Sequence, residues 1–466
     1  MESDCFYFMG QIFFMGNGIY SMRGRADRMK TEEKYIETYE QMEPLIRSRI
    51  ENNAFTALGY TSNLDVLCDF QIEVFNQLLN KYLPNGDLAG MKAAEEIADM
   101  KGFLETIVYF CTNGIGGEVD ISDFSMIRDT FEVKKGMGGT ATQGAMALAA
   151  VTCPSIIHLT DDSKEVCDIL NSPYIYTVSN EGELIHTDQI TQTAEQEIHY
   201  IIQFKKGDVI CLGSQKITIP TSNRLIITKI TVNETLPFSA SYFTYIETHA
   251  ANIKSNVLSS FNAIQDKDIL EQRLAYVKEH IKKYKANNEA GIVYFEDAHY
   301  HNREIRKLCL EMLYPYVDIL SLNEEELEYT LTMYDFPIEI HDIHSCIKGA
   351  AYIKERFSVK KGIIVHTKDY SMYLGEALRG DIEKGLMLGN MLATAKAVNG
   401  WYGTKEQISE VIKLPLSEKG MRNRELTAKE HFSWEVVLVP SKYIDKPKYT
   451  IGLGDSFVAG VQMCFE

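Results

Sequence analysis

The chain has 466 residues and a mass of 53.0 kDa, enough for a large core divided between two or more lobes. Its 45% hydrophobic and 24% charged residues are those of an ordinary soluble globular protein, and a net charge of −18 argues against a nucleic-acid or anionic-membrane partner. Nine scattered cysteines, with no Cys-x-x-Cys pair, read as reduced thiols in a cytoplasm.

Residues 5–20 are apolar but short, follow the acidic Glu2 and Asp4, and lack a basic leader, so neither a signal peptide nor a membrane span is expected. Residues 1–29 are read as an extension, either a disordered arm or sequence upstream of a natural start at Met22 or Met29. A charged helical pattern covers 30–53. A buried strand follows over 54–60 and ends in the polar cluster Thr61-Ser62-Asn63-Leu64-Asp65. Asn63 and Asp65 are two apart and share a face if the strand extends that far. An amide beside a carboxylate suits a sugar, whose hydroxyls both donate and accept. An Asx turn is the plainer account of the same residues.

Residues 71–110 are helix-rich. Gly138-Gly139 then opens a small-residue helix over 140–150, where a ligand has close access to the backbone or the chain simply turns tightly. Short strands follow to about 250, among them His199–Phe204. Asn223-Arg224 places a fork-shaped cation in an acidic protein, fit for phosphate oxygens or for a surface ion pair.

From about 255, helices alternate with buried strands whose last residues are polar: Glu296, Asn323, and His366 with Thr367. That pattern predicts an α/β doubly wound sheet with its site along one edge, and the β-richer middle reads as a smaller second lobe. Asn323-Glu324-Glu325-Glu326 opens a helix, either as a plain acidic cap or as a magnesium site completed by Glu296 through water. The chain ends on Gly452-Leu453-Gly454-Asp455 and an apolar helix. Backbone N–H groups there converge as an anion nest beside a carboxylate able to take a proton.

In combination these segments resemble the ADP-dependent glucokinase and phosphofructokinase family of the ribokinase-like sugar kinases. The resemblance runs in chain order through Gly59–Asp65, Gly138-Gly139, His199–Gly207, Ser222–Ile226, Tyr294–Glu296, Val317–Glu326, Val365–Thr367 and Thr450–Asp455. The short tail after Gly454 and the Asn223-Arg224-Leu225-Ile226 segment resemble the ADP-dependent branch in particular.

The resemblance implies a ribokinase-like large domain over 54–70, 130–180 and 250–466, with a β-rich lid from 71–129 and 181–249. It implies Asp455 as catalytic base, Gly452 and Gly454 as anion hole, and Arg224 on the transferring phosphate. Asn63, Asp65, Gly138 and Gly139 would bind the sugar, and His366 and Thr367 would lie near the nucleotide. Glu296, Asn323 and Glu326 would organise Mg2+ or another divalent cation, mostly through water. The implied reaction is in-line attack of a sugar or sugar-phosphate hydroxyl on the β-phosphoryl group of Mg·ADP, releasing AMP in a glycolytic step.

Three positions depart from the family pattern: Tyr294 for His, Gln203 for Glu, and Thr61 for Asn. They keep a catalytically impaired homologue open, as the fold keeps an ATP-dependent kinase open. A nicotinamide oxidoreductase fits poorly, because no Gly-x-Gly-x-x-Gly follows an early strand. The acceptor stays open between glucose and fructose 6-phosphate, with Lys205, Lys206 and Lys216 the candidate holders of a phosphorylated one.

Overall fold

Two sheets organise the chain. The computed structural model describes residues 4–128, 130–191, 196–229, 232–300 and 302–465, with side chains of the first helix described from Ala26 onward. The expected extension over 1–29 therefore lies partly outside the described residues; the backbone from Asp4 to Glu51 is one helix.

The larger sheet has ten strands. From one edge they are Glu435–Pro440, Tyr370–Gly375, Gly362–His366, Ile319–Asn323, Ile292–Glu296, Ile253–Leu258, Phe55–Leu58, Ser155–Ile157, Ile175–Val178 and Leu184–Ile185. Gly362–His366 through Ile175–Val178 run parallel; Tyr370–Gly375 and Leu184–Ile185 run antiparallel to them, and Glu435–Pro440, antiparallel to Tyr370–Gly375, returns to the common direction. The inner strands are near-continuous apolar runs because helices cover both faces. Asp266, Asn302, Asp342 and Asp381 each accept backbone hydrogen bonds at the start of the following helix. All polar strand ends then fall on the same edge, as the sequence predicts.

The smaller sheet has six strands in the order Glu96–Ile97, Gly117–Ile121, Asn223–Lys229, Ile198–Phe204, Asn63–Cys68 and Val133–Gly138. Here the structure departs from the expected segments. The polar cluster after the first strand does not extend it: the chain leaves the large sheet at Leu58 and re-enters the small one at Asn63. Strands 63–68 and 133–138, expected with the large domain, pair with each other in the small sheet instead, Asn63 opposite Gly138. Leu184–Ile185 conversely edges the large sheet. Alternation along a strand marks its faces but not its neighbours, which long-range pairing decides.

The first helix is anchored through its second half. Arg49 donates to Gln462 O and Phe465 O, both at 2.7 Å, and Tyr35 Oη donates to Pro440 O at 2.8 Å. The described cysteines are free, and no helix among the described residues is long and apolar enough to cross a membrane.

Candidate active site

Two cavities flank the turn at Gly452–Asp455. One, of about 480 Å3, lies between the inner face of the small sheet and the edge of the large one. Asn63, Asp65, Gly138, Gly139, Arg224, Glu296 and Asp455 all line it. The other, of about 590 Å3, is lined by Asn323, Glu324, His366, Thr367, Lys368, Gly454 and the segment around Tyr443. The expected sugar-binding and phosphate-binding residues thus share one chamber, and the expected nucleotide-binding residues share the other.

The turn between them joins a left-handed glycine to a helix start. Gly452 has a φ of +66°, and a Cβ there would run into the Gln143 amide and lie 2.6 Å from Lys396 Nζ. The helix Leu453–Gln462 begins at once, so its first N–H groups and the positive end of its dipole face the junction of the cavities. Asp455 stands in that first turn, on the wall of the first cavity.

On the small sheet, Asn63 and Asp65 do share a strand face. Asn63 Nδ2 donates to Asp65 Oδ1 at 2.7 Å and stands 3.3 Å from His199 Nδ1, whose Nε2 meets Glu197 Oε1 at 3.3 Å. Burial pushes the Asp65 carboxyl up to about 6, while His199 and Lys396 pull it back. Desolvation works against the charged form of the half-buried His199, but hydrogen bonding to Glu197 and the charges of Asp65 and Glu118 outweigh that cost and raise its pKa. A Cβ on Gly138 would overlap Asn63 Nδ2 and Asp65 Oδ1, and one on Gly139, at φ +86°, would strike Thr61 O. These glycines let the two strands close around the polar pair.

Arg224 is exposed on the neighbouring strand and projects into the first cavity. Gln203, one of the departures, lies directly opposite it in the strand register. Lys205, Lys206 and Lys216 do not line the cavity. Lys205 and Lys206 belong to the turn beyond it and Lys216 to the hairpin strand Gln215–Thr218.

The expected cation ligands are not gathered as direct ligands. Asn323 and Glu326 satisfy each other's backbone across the helix start: Asn323 N donates to Glu326 Oε2 at 2.8 Å, and Glu326 N donates to Asn323 Oδ1 at 2.9 Å. The plain capping account therefore holds for that pair. Burial, then Asp297 and Glu296, push the Glu326 carboxyl up to about 8. Among the described residues no three His, Cys, Asp or Glu side chains enclose a metal position. Glu296 differs: its Oε1 lies 3.0 Å from His366 Nε2, while its buried Oε2 has no partner and Ser321 Oγ stands nearby without completing a hydrogen bond. Tyr294 is buried in the core two residues earlier and lines neither cavity. The imidazole beside Glu296 comes from another strand.

The sequence reading missed Glu118, Asp120 and Glu197, which also line the first cavity. Glu118 and Asp120 alternate on a strand, a signal present in the sequence but without meaning until the sheet is assembled.

The geometry accords with the comparisons. The ADP-specific phosphofructokinase/glucokinase conserved region matches residues 55–462. The chain belongs to this family. It is 23% identical to the ADP-specific phosphofructokinase of Thermococcus kodakarensis over 442 residues, 87% of this chain and 94% of that one. It is 26% identical to the ADP-dependent glucose/glucosamine kinase of Pyrococcus furiosus, over 86% of this chain and 91% of that one. Its fold matches a phosphofructokinase from Pyrococcus horikoshii crystallised with AMP, with a TM-score of 0.72 at 21% identity, covering 88% of this chain and 97% of the other. An ADP-dependent kinase in complex with fructose-6-phosphate and ADPβS matches with a TM-score of 0.72 at 19% identity, over 93% and 97% of the two chains. The large sheet is accordingly the ribokinase-like fold.

Proposed function

We propose that this member of the ADP-dependent sugar kinase family transfers the β-phosphoryl group of ADP to a hydroxyl of an unphosphorylated hexose or amino sugar, releasing AMP. The observation that carries the acceptor class is the charge of the first cavity. Asp65, Glu118, Asp120, Glu197, Glu296 and Asp455 line it, and among the described residues only Arg224 and His199 stand against them. A sugar phosphate would bring a second dianion into that field, and once Arg224 meets the transferring group only His199, already paired with Glu197, would be left to face it. A neutral sugar finds acceptors for its hydroxyls, and an ammonium sugar is attracted.

In this reading the acceptor sits against Asn63 and Asp65, and ADP lies in the second cavity with its phosphates toward Gly452–Gly454. Asp455 takes the proton as the hydroxyl oxygen attacks, the new P–O bond forms as the bond to the AMP oxygen breaks, and Arg224 spreads the charge of the moving group. The residues that would hold a divalent cation brought with ADP are Glu296, whose buried Oε2 has no hydrogen-bond partner, with Asn323 and Glu324 on the nucleotide side. Bound there it would neutralise phosphate charge.

Calorimetric titration tests the acceptor class. With ADPβS present, glucose or glucosamine should bind at least about tenfold tighter than fructose 6-phosphate. Tighter binding of the sugar phosphate would contradict the assignment.

A further inference from the structure

Lys396 lies on the helix Ile382–Asn399 within the stretch Ala393-Thr394-Ala395-Lys396-Ala397, and it is only 2% exposed. A buried ammonium is costly unless its donors are met. Its Nζ donates to Gly452 O at 3.3 Å and to Gln143 Oε1, and it sits 4.3 Å over the Tyr402 ring. No carboxylate ion-pairs with it among the described residues; Asp455 and Asp65 act on it at longer range. Its helix is locked to the helix of Asp455, since a Cβ on Gly460 would come within 2.5 Å of Gly389 N and Leu388 O.

Gln143 is the second half of the arrangement. It lies in the first turn of Thr140–Ala150, is 4% exposed, and lines the acceptor cavity. Its Oε1 accepts from Lys396 and, at 3.4 Å, from Tyr402 Oη. Two donors on the oxygen fix the amide, and its NH2 group is the end left for a ligand.

We propose that Lys396 is a positioning residue for phosphoryl transfer: it holds the Gly452 turn and the Gln143 amide together, and so aims the Gln143 NH2 group at the oxygen shared by the acceptor and the transferring phosphoryl group. This rests on the kinase reading above. Burial pulls the Lys396 ammonium down to about 8, with Asp455 and Asp65 opposing. The groups facing it are those two carboxylates, the Gly452 carbonyl, the Gln143 amide and the Tyr402 and Tyr449 rings. Loss of its proton then falls inside the measurable alkaline range.

The test is kcat and KM against pH for wild type, Lys396→Met, Lys396→Arg, Gln143→Leu and the Met/Leu double variant, with ADP affinity and Tm alongside. Lys396→Met should lose about 100-fold in kcat while the Kd for ADP stays within about threefold. Gln143→Leu should lose a comparable factor, and the double variant little more than either single, because both changes remove one unit. Lys396→Arg should keep part of the rate and lose the wild-type alkaline limb, since guanidinium does not titrate there. Near-wild-type rates in both single variants, or multiplicative losses in the double, would overturn the proposal. If Lys396→Met does not fold, Lys396→Arg decides, and an unchanged alkaline limb contradicts the role. A wild type silent with every sugar overturns the kinase reading, whereas equal rates in all variants overturn only Lys396.

Discussion

Glu296 and His366 meet at 3.0 Å although the strand Ile319–Asn323 separates their own strands in the sheet. Glu296 lines the first cavity, proposed for the acceptor, and His366 the second, proposed for the nucleotide, so the pair forms part of the wall between them. A Cβ on Gly454 would lie 3.4 Å from His366 Cε1 and 3.9 Å from Glu296 Oε1, which places the pair directly beneath the Gly452–Asp455 turn. A group that orients a cation-binding carboxylate typically contributes 10–100-fold to affinity. His366→Ala should accordingly raise the Mg2+ concentration for half-maximal rate about 10–100-fold. An unchanged Mg2+ dependence would remove Glu296 from cation binding.

Asp455 is argued to be the base from its place at the start of the last helix, beside the turn and on the acceptor cavity. Asp455→Asn keeps the shape and removes the proton acceptor. Its kcat should fall about 10²–10⁴-fold while ADP still binds. Single-turnover rates with ADP affinity measured in parallel check this, and turnover near wild type contradicts it.

Asp65 gives a prediction with a definite sign in pH. Its carboxyl is pushed from the usual 3.8 up to about 6 in the folded chain. Between those values the folded form holds more protons than the unfolded one, so its contribution to stability falls as pH rises through that window and stays unfavourable above it. Asp65→Asn should thus be more stable than wild type at pH 7, by up to about 3 kcal/mol, and no more stable near pH 3.5. The same variant should raise the KM for the sugar and lose the acid limb near pH 6 in kcat/KM. Denaturant titrations at the two pH values and a pH–rate profile check both halves.

Beneath the strand end, Asp297 and Arg306 form a buried pair at 2.7 Å, with Tyr314 Oη donating to the same carboxylate at 2.6 Å. Arg306 also donates to Glu326 O at 3.4 Å and so ties the strand end to the next helix. Removing one partner leaves an uncompensated buried charge. Asp297→Ala should lose about 3–5 kcal/mol in urea unfolding. A loss below about 1 kcal/mol would show that the pair does not hold the site edge.

The large sheet was legible because each parallel strand is an apolar run closed by a polar residue, and Glu296, Asn323 and His366 all fall where that pattern puts them. The turn at Gly452 was legible as two glycines before a helix. The small sheet was not. Asn63–Cys68 and Val133–Gly138 were not read as separate strands, and the strand pairing that defines them joins positions as far apart as Asp65 and His199. The charge of the acceptor cavity was hidden for the same reason: Glu118, Asp120 and Glu197 converge only when that sheet forms. Lys396 did leave a trace, a lone cation inside a stretch of small residues, which in a buried helix calls for a partner.

AMP formation from Mg·ADP, measured with glucose, glucosamine and fructose 6-phosphate in separate reactions and with ATP as a parallel donor, tests donor and acceptor most directly. AMP and sugar phosphate should form in equal amounts with glucose or glucosamine, with little turnover of fructose 6-phosphate and little with ATP. Preferred turnover of fructose 6-phosphate would contradict the acceptor assignment, and turnover with ATP alone would contradict the donor.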